Sequence, residues 1–403
     1  MKFGIIKERK NPPDKRVVLS PNDCVKALDL FPGISLVVES SDIRVFPDSD
    51  YRNSGIEVTE DVSDCDVLLG VKEVPVDALI PDKKYFFFSH TIKKQPYNRK
   101  LLQSILDKNI ELYDHEVITA PGGQRLVAFG RYAGIVGAYN GIRAYGLKFG
   151  LFELPGAEDL PDQQALIDVL KKTELPDIKI LLTGKGRVGG GVKEMLNGMG
   201  LKEVNCEEYL TRTFSGPVYC QIDVLEYNKR KDGRTQGHKD FYEHPEEYES
   251  DFMRFARVTD LYMAGHFYGQ GAPYLFTKDD AKSPDFNIRV VADISCDING
   301  PVASTIRAST IAAPVYGYDP RTGKETDFRE AHAIAVMAVD NLPCALPRDA
   351  SEGFGDMFLT HVMPAFFNDD RDGILERARM TCNGRLTERY TYLQDYVTGE
   401  VIS

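Results

Sequence analysis

Short apolar runs alternate with segments of helical spacing through the first part of the chain. Residues 21–30 and 96–108 have the spacing of amphipathic helices. Five runs have the nearly continuous apolar character of strands buried on both faces: KFGIIKE (2–8), SLVVES (35–40), DVLLGVKE (66–73), KYFFFSH (84–90) and IELYDHE (110–116). The alternation predicts a parallel sheet covered on both faces, so about the first 120 residues should form one doubly wound α/β unit.

A glycine-rich turn stands out in the middle of the chain. The apolar run at 178–182 predicts a buried strand, GKGRVG (184–189) follows it, and VKEMLNGMG then predicts a helix. A bare G-x-G-x-x-G also occurs as an ordinary turn, but a strand before it and a helix after it favour a dinucleotide site. Gly184 would allow the tight turn, Gly186 the approach of a pyrophosphate, and Gly189 close packing of helix on strand.

The residues around this turn complete the predicted dinucleotide site. Arg187 and Val188 lie at the N-terminus of the helix, whose partial positive charge favours phosphate. Glu207 follows Gly189 by about 18 positions, at the end of a candidate strand, EVNCE, and suits the acid that binds the ribose in this motif. Glu207 favours NAD, whereas Lys185 and Arg187 would suit the 2′-phosphate of NADP. NAD is therefore the leading expectation and NADP stays open.

The remaining segments extend the same pattern. The Gly- and Ala-rich stretch at 126–149 predicts a long helix that leaves the first domain. Charge and tyrosine dominate 211–258, which predicts an insertion, partly helical near its end. The other predicted elements are a helix at 165–172, strands at 260–267 and 287–295, a strand pair within 309–319, and a helix capped near Ser351.

Composition excludes several classes of protein. The net charge of −12 argues against nucleic-acid and anionic membrane partners, and no apolar run approaches the length of a membrane span, about 20 residues. The charged N-terminal run is unlike a signal peptide. The seven cysteines are scattered and contain no C-x-x-C pair, which indicates reduced thiols in a cytoplasm and no zinc site.

Candidate chemistry collects at the predicted carboxyl ends of the strands, where ligands bind in open parallel sheets. Cations are in excess at this edge of the first domain, and this favours an anionic substrate with carboxylates, although single charges at strand ends are often only solvated. The residues at the edge of the first domain are Lys7, Glu8, Arg16, Lys72, Glu73, His90, Lys93, Glu116 and Arg125. The second domain would add the glycine loop, Glu207, His266 and Asp293, and the two edges would enclose an interdomain cleft.

Lys72 and His90 form the predicted catalytic pair. Histidine titrates near neutral pH, and a lysine among other cations has a lowered pKa, so the pair can exchange protons with a reacting nitrogen centre. A single histidine at a strand end is more often a core residue, but the strand-like run YFFFS would place His90 at the carboxyl edge of the sheet. No G-x-S-x-G or metal-ligand motif is present, which removes acyl transfer and zinc hydrolysis.

These residues resemble those of a known superfamily that contains alanine dehydrogenase, the nucleotide-binding subunit of transhydrogenase and saccharopine dehydrogenases. The opening Lys7-Glu8 and RVVLSP (16–21) resemble its shared N-terminal motif. Within the group, the chain is most similar to the lysine-ketoglutarate reductase domain of the bifunctional lysine-degrading enzyme, from about residue 3 to residue 396. The similarity lies in VKEVP (71–75), FFSHTIK (87–93), VAFGRYAG (127–134), HPEEY (244–248), VADISCDINGP (291–301), VDNLPCALPRDASEGFGDM (339–357) and NGRLTERYTYLQ (383–394).

The resemblance implies a specific organisation and reaction. It implies a discontinuous Rossmann-like substrate domain, 1–135 with 336–403, and a dinucleotide-binding domain, 136–335. The implied reaction joins the lysine ε-amine to 2-oxoglutarate and reduces the imine to saccharopine, or runs in reverse. Lys72 and His90 match the family's acid–base pair, and Arg16 and Arg125 match its substrate-carboxylate contacts, with Lys93 and Glu116 nearby. Asp340 falls at the junction between the domains and is expected beside the cofactor.

Two alternatives remain open at this stage. One is an alanine dehydrogenase-like enzyme that uses pyruvate and ammonia. The other is a regulatory protein that has kept nucleotide binding and lost turnover. Small molecules are the expected partners, and the protein is expected to be a monomer or a small homo-oligomer.

Overall fold

A computed structural model describes residues 1–399, which divide into two compact units. The first unit contains residues 1–129 and the chain from Pro347 onward, and the second contains Gly130–Leu346. The breaks lie after Phe129 and Leu346, where the sequence predicts them after residues 135 and 335.

The first unit is built on a six-stranded sheet in which every strand is parallel to its neighbours, in the order β3-β2-β1-β4-β5-β6. Helices α1 (Pro21–Leu30), α2 (Asp48–Asn53) and α3 (Arg99–Asp107) alternate with the strands, which confirms the doubly wound α/β class. The strands are β1 (Lys2–Ile5), β2 (Ser35–Glu39), β3 (Glu57–Thr59), β4 (Val67–Leu69), β5 (Lys84–Phe87) and β6 (Glu111–Asp114). Strand β3 was not predicted, because this edge strand is half exposed and has no apolar run.

The second unit begins with α4 (Gly130–Phe149), a helix buried along most of its length. Close packing depends on small residues, as the sequence predicts: a Cβ on Gly134 would overlap the Val188 carbonyl. On the helix that packs against α4, a Cβ on Gly191 would overlap the Arg131 carbonyl. Helix α4 starts at residue 130 and not at 126. After it come α5 (Gln163–Lys171) and α6 (Arg187–Met199), which leads away from the glycine loop.

The sheet of the second unit has eight strands in the order β15-β14-β16-β13-β12-β7-β9-β8. All are parallel except β14, which runs antiparallel to both β16 and β15. The strands of this sheet are β7 (Lys179–Thr183), β8 (Lys202–Glu203), β9 (Val218–Ile222), β12 (Leu261–Ala264), β13 (Val290–Asp293), β14 (Val315–Asp319), β15 (Lys324–Thr326) and β16 (Ile334–Met337).

The predicted insertion contains one strand of the main sheet. Strand β9 lies within 211–258 and pairs between β7 and β8, so the whole segment is not an insertion as predicted. The rest of this segment forms α8 (Val224–Tyr227), a hairpin of β10 (Asn228–Arg230) and β11 (Tyr248–Ser250), α9 (His238–Glu243) and α10 (Met253–Ala256). Helix α11 (Lys278–Lys282) follows β12.

The chain then returns to the first unit through α12 (Pro347–Met357). The prediction of a cap near Ser351 was wrong, since Ser351 lies inside this helix, where its hydroxyl accepts from the Val17 N–H at 3.0 Å. A π-helical turn at Phe358–Val362 continues the helix. The last elements are α13 (Ile374–Ala378), β17 (Thr381–Cys382), β18 (Arg385–Leu386) and α14 (Gln394–Thr398). Within the described residues, no helix is long and apolar enough to cross a membrane.

Candidate active site and dinucleotide site

The predicted catalytic residues of the first unit follow two neighbouring strands. Strands β4 and β5 pair in parallel, with Leu69 opposite Phe86. The strands end at Leu69 and Phe87, earlier than the sequence predicts, so Lys72 and His90 each lie three residues beyond a strand end. The two loops emerge side by side at the carboxyl edge of the sheet.

His90 occupies a constrained position in its loop. Its backbone is left-handed, with φ at +52°, and its ring stacks on Phe88 at a centroid distance of 6.2 Å. Its Nε2 atom lies 3.9 Å from Glu73 Oε1. Burial lowers the pKa of His90 below 6.5; Lys72 lowers it further, while Glu73 and Glu116 oppose the shift. His90 is therefore largely neutral near pH 7 and lies within electrostatic range of Lys72.

Glu73 connects His90 to other polar groups. Its carboxylate accepts from Lys10 Nζ at 2.8 Å and from Asn98 Nδ2 at 3.3 Å. Burial raises the pKa of Glu73, but the hydrogen bond from Lys10 and the nearby His90 more than offset this, and the pKa is lowered. Asn98 also donates to the Ser89 carbonyl at 2.9 Å, on the residue before His90. Asn98 was missed from the sequence; a polar residue just before α3 was the available signal.

Glu8 holds the backbone of the loop that carries Lys72. Its two carboxylate oxygens accept from the backbone N–H groups of Val71 and Lys72, at 2.7 and 2.8 Å. Burial raises the pKa of Glu8 to about 8. The buried carboxyl group therefore fixes the backbone that carries Lys72.

The predicted substrate-binding cations differ in accessibility. Arg16 is only 3% exposed, donates to both oxygens of Asp14, and stacks over Phe129 at 4.2 Å. This guanidinium is buried and paired within the unit, and its predicted contact with a substrate carboxylate stays a prediction. Lys93 and Arg125 are exposed, and Glu116 is partly buried.

The glycine loop of the second unit has the features that a dinucleotide phosphate site needs. Gly184 has φ at +96°, and a Cβ there would lie 2.5 Å from the Gly265 carbonyl oxygen. A Cβ on Gly189 would overlap the Gly184 carbonyl, so this glycine permits close packing of α6 on β7. A Cβ on Gly186 would meet nothing within 4 Å, so the backbone at the start of α6 is open to a ligand. Arg187 is exposed and Val188 is partly buried beside it.

His266 adds an unsatisfied polar atom at the same edge. Its ring is 7% exposed and its Nδ1 lies 2.9 Å from Thr183 Oγ1, at the end of β7. Its Nε2 is buried and has no hydrogen-bond partner among the described residues. Burial lowers the pKa of His266 to about 4, so the ring is neutral. An unpaired buried nitrogen beside the glycine loop fits a polar ligand group.

Three other residues that the sequence predicts to bind the cofactor lie in surroundings that differ from the prediction. Asp293 ends β13 as expected but is fully buried, and Ser295, the Cys296 N–H and Thr305 use its carboxylate. It therefore holds the following loop in place. Asp340 is exposed and belongs to the second unit. Glu207 does not end a strand, because Asn205 caps α7 (Cys206–Thr211) and puts Glu207 in its first turn.

A family model and two solved structures are similar to this chain. Residues 4–136 match the model of the alanine dehydrogenase/PNT N-terminal domain. A solved L-alanine dehydrogenase has a similar structure, with a TM-score of 0.64, 17% identity and 99% of each chain covered. A transhydrogenase from Sinorhizobium meliloti gives a TM-score of 0.58 at 16% identity, covering 96% of this chain and 99% of that one. The chain therefore shares the fold of these two solved structures.

Two groups of sequence relatives match most of the chain. The mitochondrial alpha-aminoadipic semialdehyde synthase of Mus musculus is 28% identical across 97% of this chain and 47% of its own length. The lysine-forming, NAD(+)-dependent saccharopine dehydrogenase of Yarrowia lipolytica is 24% identical across 89% of this chain and 90% of its own length. The chain is thus similar to saccharopine dehydrogenases and to semialdehyde synthases, and it spans about half the length of the semialdehyde synthases it matches.

Proposed function

We propose that the protein is an NAD(P)-dependent oxidoreductase of the saccharopine dehydrogenase type. It joins the ε-amine of lysine to 2-oxoglutarate and reduces the resulting imine to saccharopine, or runs this reaction in reverse. The observation that carries the proposal is the placement of Lys72 and neutral His90 on adjacent loops at one sheet edge. Relatives with matching names, similar along 89–97% of this chain, support it.

The Lys72–His90 pair moves the protons of the reaction. Imine formation needs a proton on the departing hydroxyl group and the loss of one from the attacking amine, and a lysine–histidine pair can supply both. Neutral His90 can accept the amine proton, and Lys72 can donate to oxygen as a cation. Nicotinamide, when bound, supplies the hydride. Glu8 keeps the Lys72 backbone in position during these transfers.

Exposed cations of the first unit bind the substrate carboxylates. Lys93 and Arg125 are exposed and follow β5 and β6. Arg16, which is buried and paired with Asp14, is a further candidate for this role. Glu116 contributes negative charge near His90, which suits a substrate that also carries ammonium groups.

The second unit holds the dinucleotide. The loop of Gly184, Gly186 and Gly189 receives the pyrophosphate at the start of α6, together with the backbone of Arg187 and Val188. The unpaired His266 Nε2 receives a hydrogen bond from, or donates one to, a polar group of the cofactor. NAD is the favoured cofactor, and Asp340 remains a candidate contact.

The proposal also includes the compartment of the enzyme and its partners. The seven cysteines are free thiols, which supports a reducing compartment, and we assign the enzyme to the cytoplasm. The acidic net charge supports small-molecule partners, and we expect a monomer or a small homo-oligomer.

A substrate panel followed at 340 nm tests the proposal. NADH and NADPH are each supplied with lysine plus 2-oxoglutarate, or with pyruvate plus ammonium. Oxidation with the first pair supports the saccharopine reaction, and oxidation only with the second pair replaces it with an alanine dehydrogenase activity. Dinucleotide binding without oxidation by either pair supports a regulatory protein instead.

A further inference from the structure

We infer that Asp114, at the end of β6, is a positioning residue whose carboxylate holds the loops of His90 and Glu116 at a fixed spacing. The inference deepens the proposed function and rests on it only for the role of His90 in proton transfer. Asp114 belongs to the same sheet edge as Lys72 and His90, but it is fully buried and acts through its neighbours.

Asp114 fixes the residue that precedes His90. Its Oδ2 atom accepts from the Ser89 N–H at 3.0 Å and also from the Ser89 hydroxyl. The Ser89 carbonyl accepts from Asn98 Nδ2 at 2.9 Å, so the N–H, the hydroxyl and the carbonyl of Ser89 are all engaged. Burial raises the pKa of Asp114 to about 6, and above this pH the acceptor is mainly a carboxylate. Hydrogen bonds to a charged acceptor are stronger than those between neutral groups.

A second hydroxyl extends this support to the other side of His90. Thr91 Oγ1 lies 2.7 Å from Ser89 Oγ, and both residues are buried. Because a carboxylate only accepts hydrogen bonds, the Ser89 hydroxyl donates to Asp114 and the Thr91 hydroxyl donates to Ser89. A left-handed backbone is uncommon for a residue other than glycine, and these contacts on both sides hold His90 at a φ of +52°.

The other carboxylate oxygen reaches the loop of Glu116. Asp114 Oδ1 accepts from the Glu116 N–H at 2.7 Å. Burial is the main cause of the lowered pKa of His90, and the negative charge of Glu116 opposes it. The proton affinity of the histidine therefore depends on the distance between these two side chains. One carboxylate holds the backbone on both sides of this interaction.

Asp114 is itself firmly held. It ends β6 opposite the last residue of β5 in the parallel ladder. The next residue, His115, is fully buried against the rings of Phe88 and Phe354, at centroid distances of 5.1 and 5.0 Å. A displacement of the carboxylate would disturb this packed core. The sheet therefore positions the His90 loop through Asp114.

Asp114→Asn tests the inference, because the amide keeps the shape and replaces one acceptor oxygen with a donor. A backbone N–H, of Ser89 or of Glu116, then faces an NH₂ group. We expect kcat to fall about ten- to a hundredfold, since a misplaced acid–base group loses rate steeply, with NADH affinity within about twofold of wild type. The matched control is Asp23→Asn, with normal kcat expected. Asp23 is a buried carboxylate of the same unit that accepts the N–H and the hydroxyl of Ser20, at 3.1 and 2.7 Å.

The titration of His90 is a readout that a general loss of stability does not move. Since burial is the largest cause of its lowered pKa, a loosened and more exposed ring should titrate at higher pH, closer to 6.5. Loss of the negative charge of Asp114 would by itself act in the opposite direction. NMR of the ring protons measures the shift in Asp114→Asn, and Asp23→Asn should titrate as wild type does.

The outcomes separate this inference from the proposed function. An unchanged or lower pKa of His90 in Asp114→Asn overturns the inference, as does an equal fall of kcat in Asp23→Asn. If Asp114→Asn does not fold, Thr91→Val removes one hydroxyl, and it should raise the pKa of His90 by a smaller amount; an unchanged pKa there overturns the inference too. A wild-type protein that does not turn over lysine and 2-oxoglutarate contradicts the proposed function, and the titration still tests how His90 is positioned.

Discussion

The carboxylate of Glu8 holds the backbone of Lys72 across 64 positions of the chain, through a hydrogen bond of 2.8 Å from the Lys72 N–H. The second oxygen accepts from the Val71 N–H. A buried carboxyl group whose two oxygens each accept a backbone N–H is a rigid support, whether or not it is charged. The position of the proposed proton-transfer lysine therefore depends on the end of a different strand, β1.

Glu8→Gln should lower kcat about tenfold without changing dinucleotide affinity. The amide has one acceptor oxygen and an NH₂ group that would face a backbone N–H, so one of the two supports is lost. Steady-state kinetics and NADH fluorescence measure the two effects. The control is Glu39→Gln, another buried carboxylate that accepts a backbone N–H, from Lys7 at 2.9 Å. A loss of activity as large in the control would show a general loss of stability.

The free energy of unfolding should also depend on pH through Glu8. Its pKa in the folded protein, about 8, lies above the usual value of 4.5. The contribution is therefore fully present below pH 4.5 and is lost as pH rises towards 8, by up to about 1.4 kcal/mol per pH unit. Denaturant unfolding between pH 5 and 8 should show a decline in wild type that is smaller in Glu8→Gln. Parallel curves for the two proteins would contradict the raised pKa.

Lys72→Met and His90→Gln should each lower kcat by about a hundredfold or more and leave NADH affinity unaltered, because acid–base catalysis contributes factors of this size. Lys84→Met is a suitable control, since Lys84 is a partly exposed cation at the start of β5, paired with Glu111. Weakened NADH binding with normal kcat would contradict the assigned roles.

The pKa of His90 should respond in opposite directions to its two charged neighbours. Lys72 lowers it and Glu73 raises it. Lys72→Met should therefore move the His90 titration to higher pH, and Glu73→Gln should move it to lower pH. NMR titration of the ring protons, assigned by their absence in His90→Gln, measures both shifts. Shifts of the same sign would show that the two groups do not act on His90 through their charge.

Three glycines near the start of α6 should respond differently to substitution. Gly186→Val should abolish NADH binding while the protein stays folded, since a Cβ there meets no protein atom. Gly190→Ala, also in open space, should bind normally and be more stable by about 0.5–1 kcal/mol, because alanine favours helix. Gly189→Ala should unfold at lower temperature. Thermal unfolding and NADH fluorescence test all three predictions. Normal NADH binding by Gly186→Val would show that the glycine loop does not bind the dinucleotide.

The sequence predicted the sheet of the first unit well because its strands are buried on both faces. It placed the strand ends too late for the same reason: Ile6, Val71 and Phe88 remain buried after the ladders end. Apolar residues indicate which part of the chain is buried, but they do not indicate where the hydrogen bonds between strands end. The loops that carry Lys72 and His90 were still assigned to the correct edge, since they follow the strands directly.

The failures depend on contacts between distant parts of the chain. Strand β9 was missed because its five residues include the polar Gln221 and stand in a charged segment, and they become a strand by pairing with β7. The burial of Arg16 depends on Phe129, and that of Asp293 on Thr305. The sequence pattern around Arg16 or Asp293 does not indicate these distant contacts. Spacing alone therefore placed Glu207 at the end of a strand, whereas the structure places it in the first turn of α7.

Isotope labelling tests most directly whether the protein joins lysine to 2-oxoglutarate to form saccharopine. The protein is incubated with NADH, 2-oxoglutarate and lysine labelled with ¹⁵N at the ε position, and the products are analysed by mass spectrometry. We expect wild type to form saccharopine that retains the label, and Lys72→Met to lose this product. Label that stays entirely in lysine while dinucleotide is bound, or a reaction that proceeds only with pyruvate and free ammonium, would contradict it.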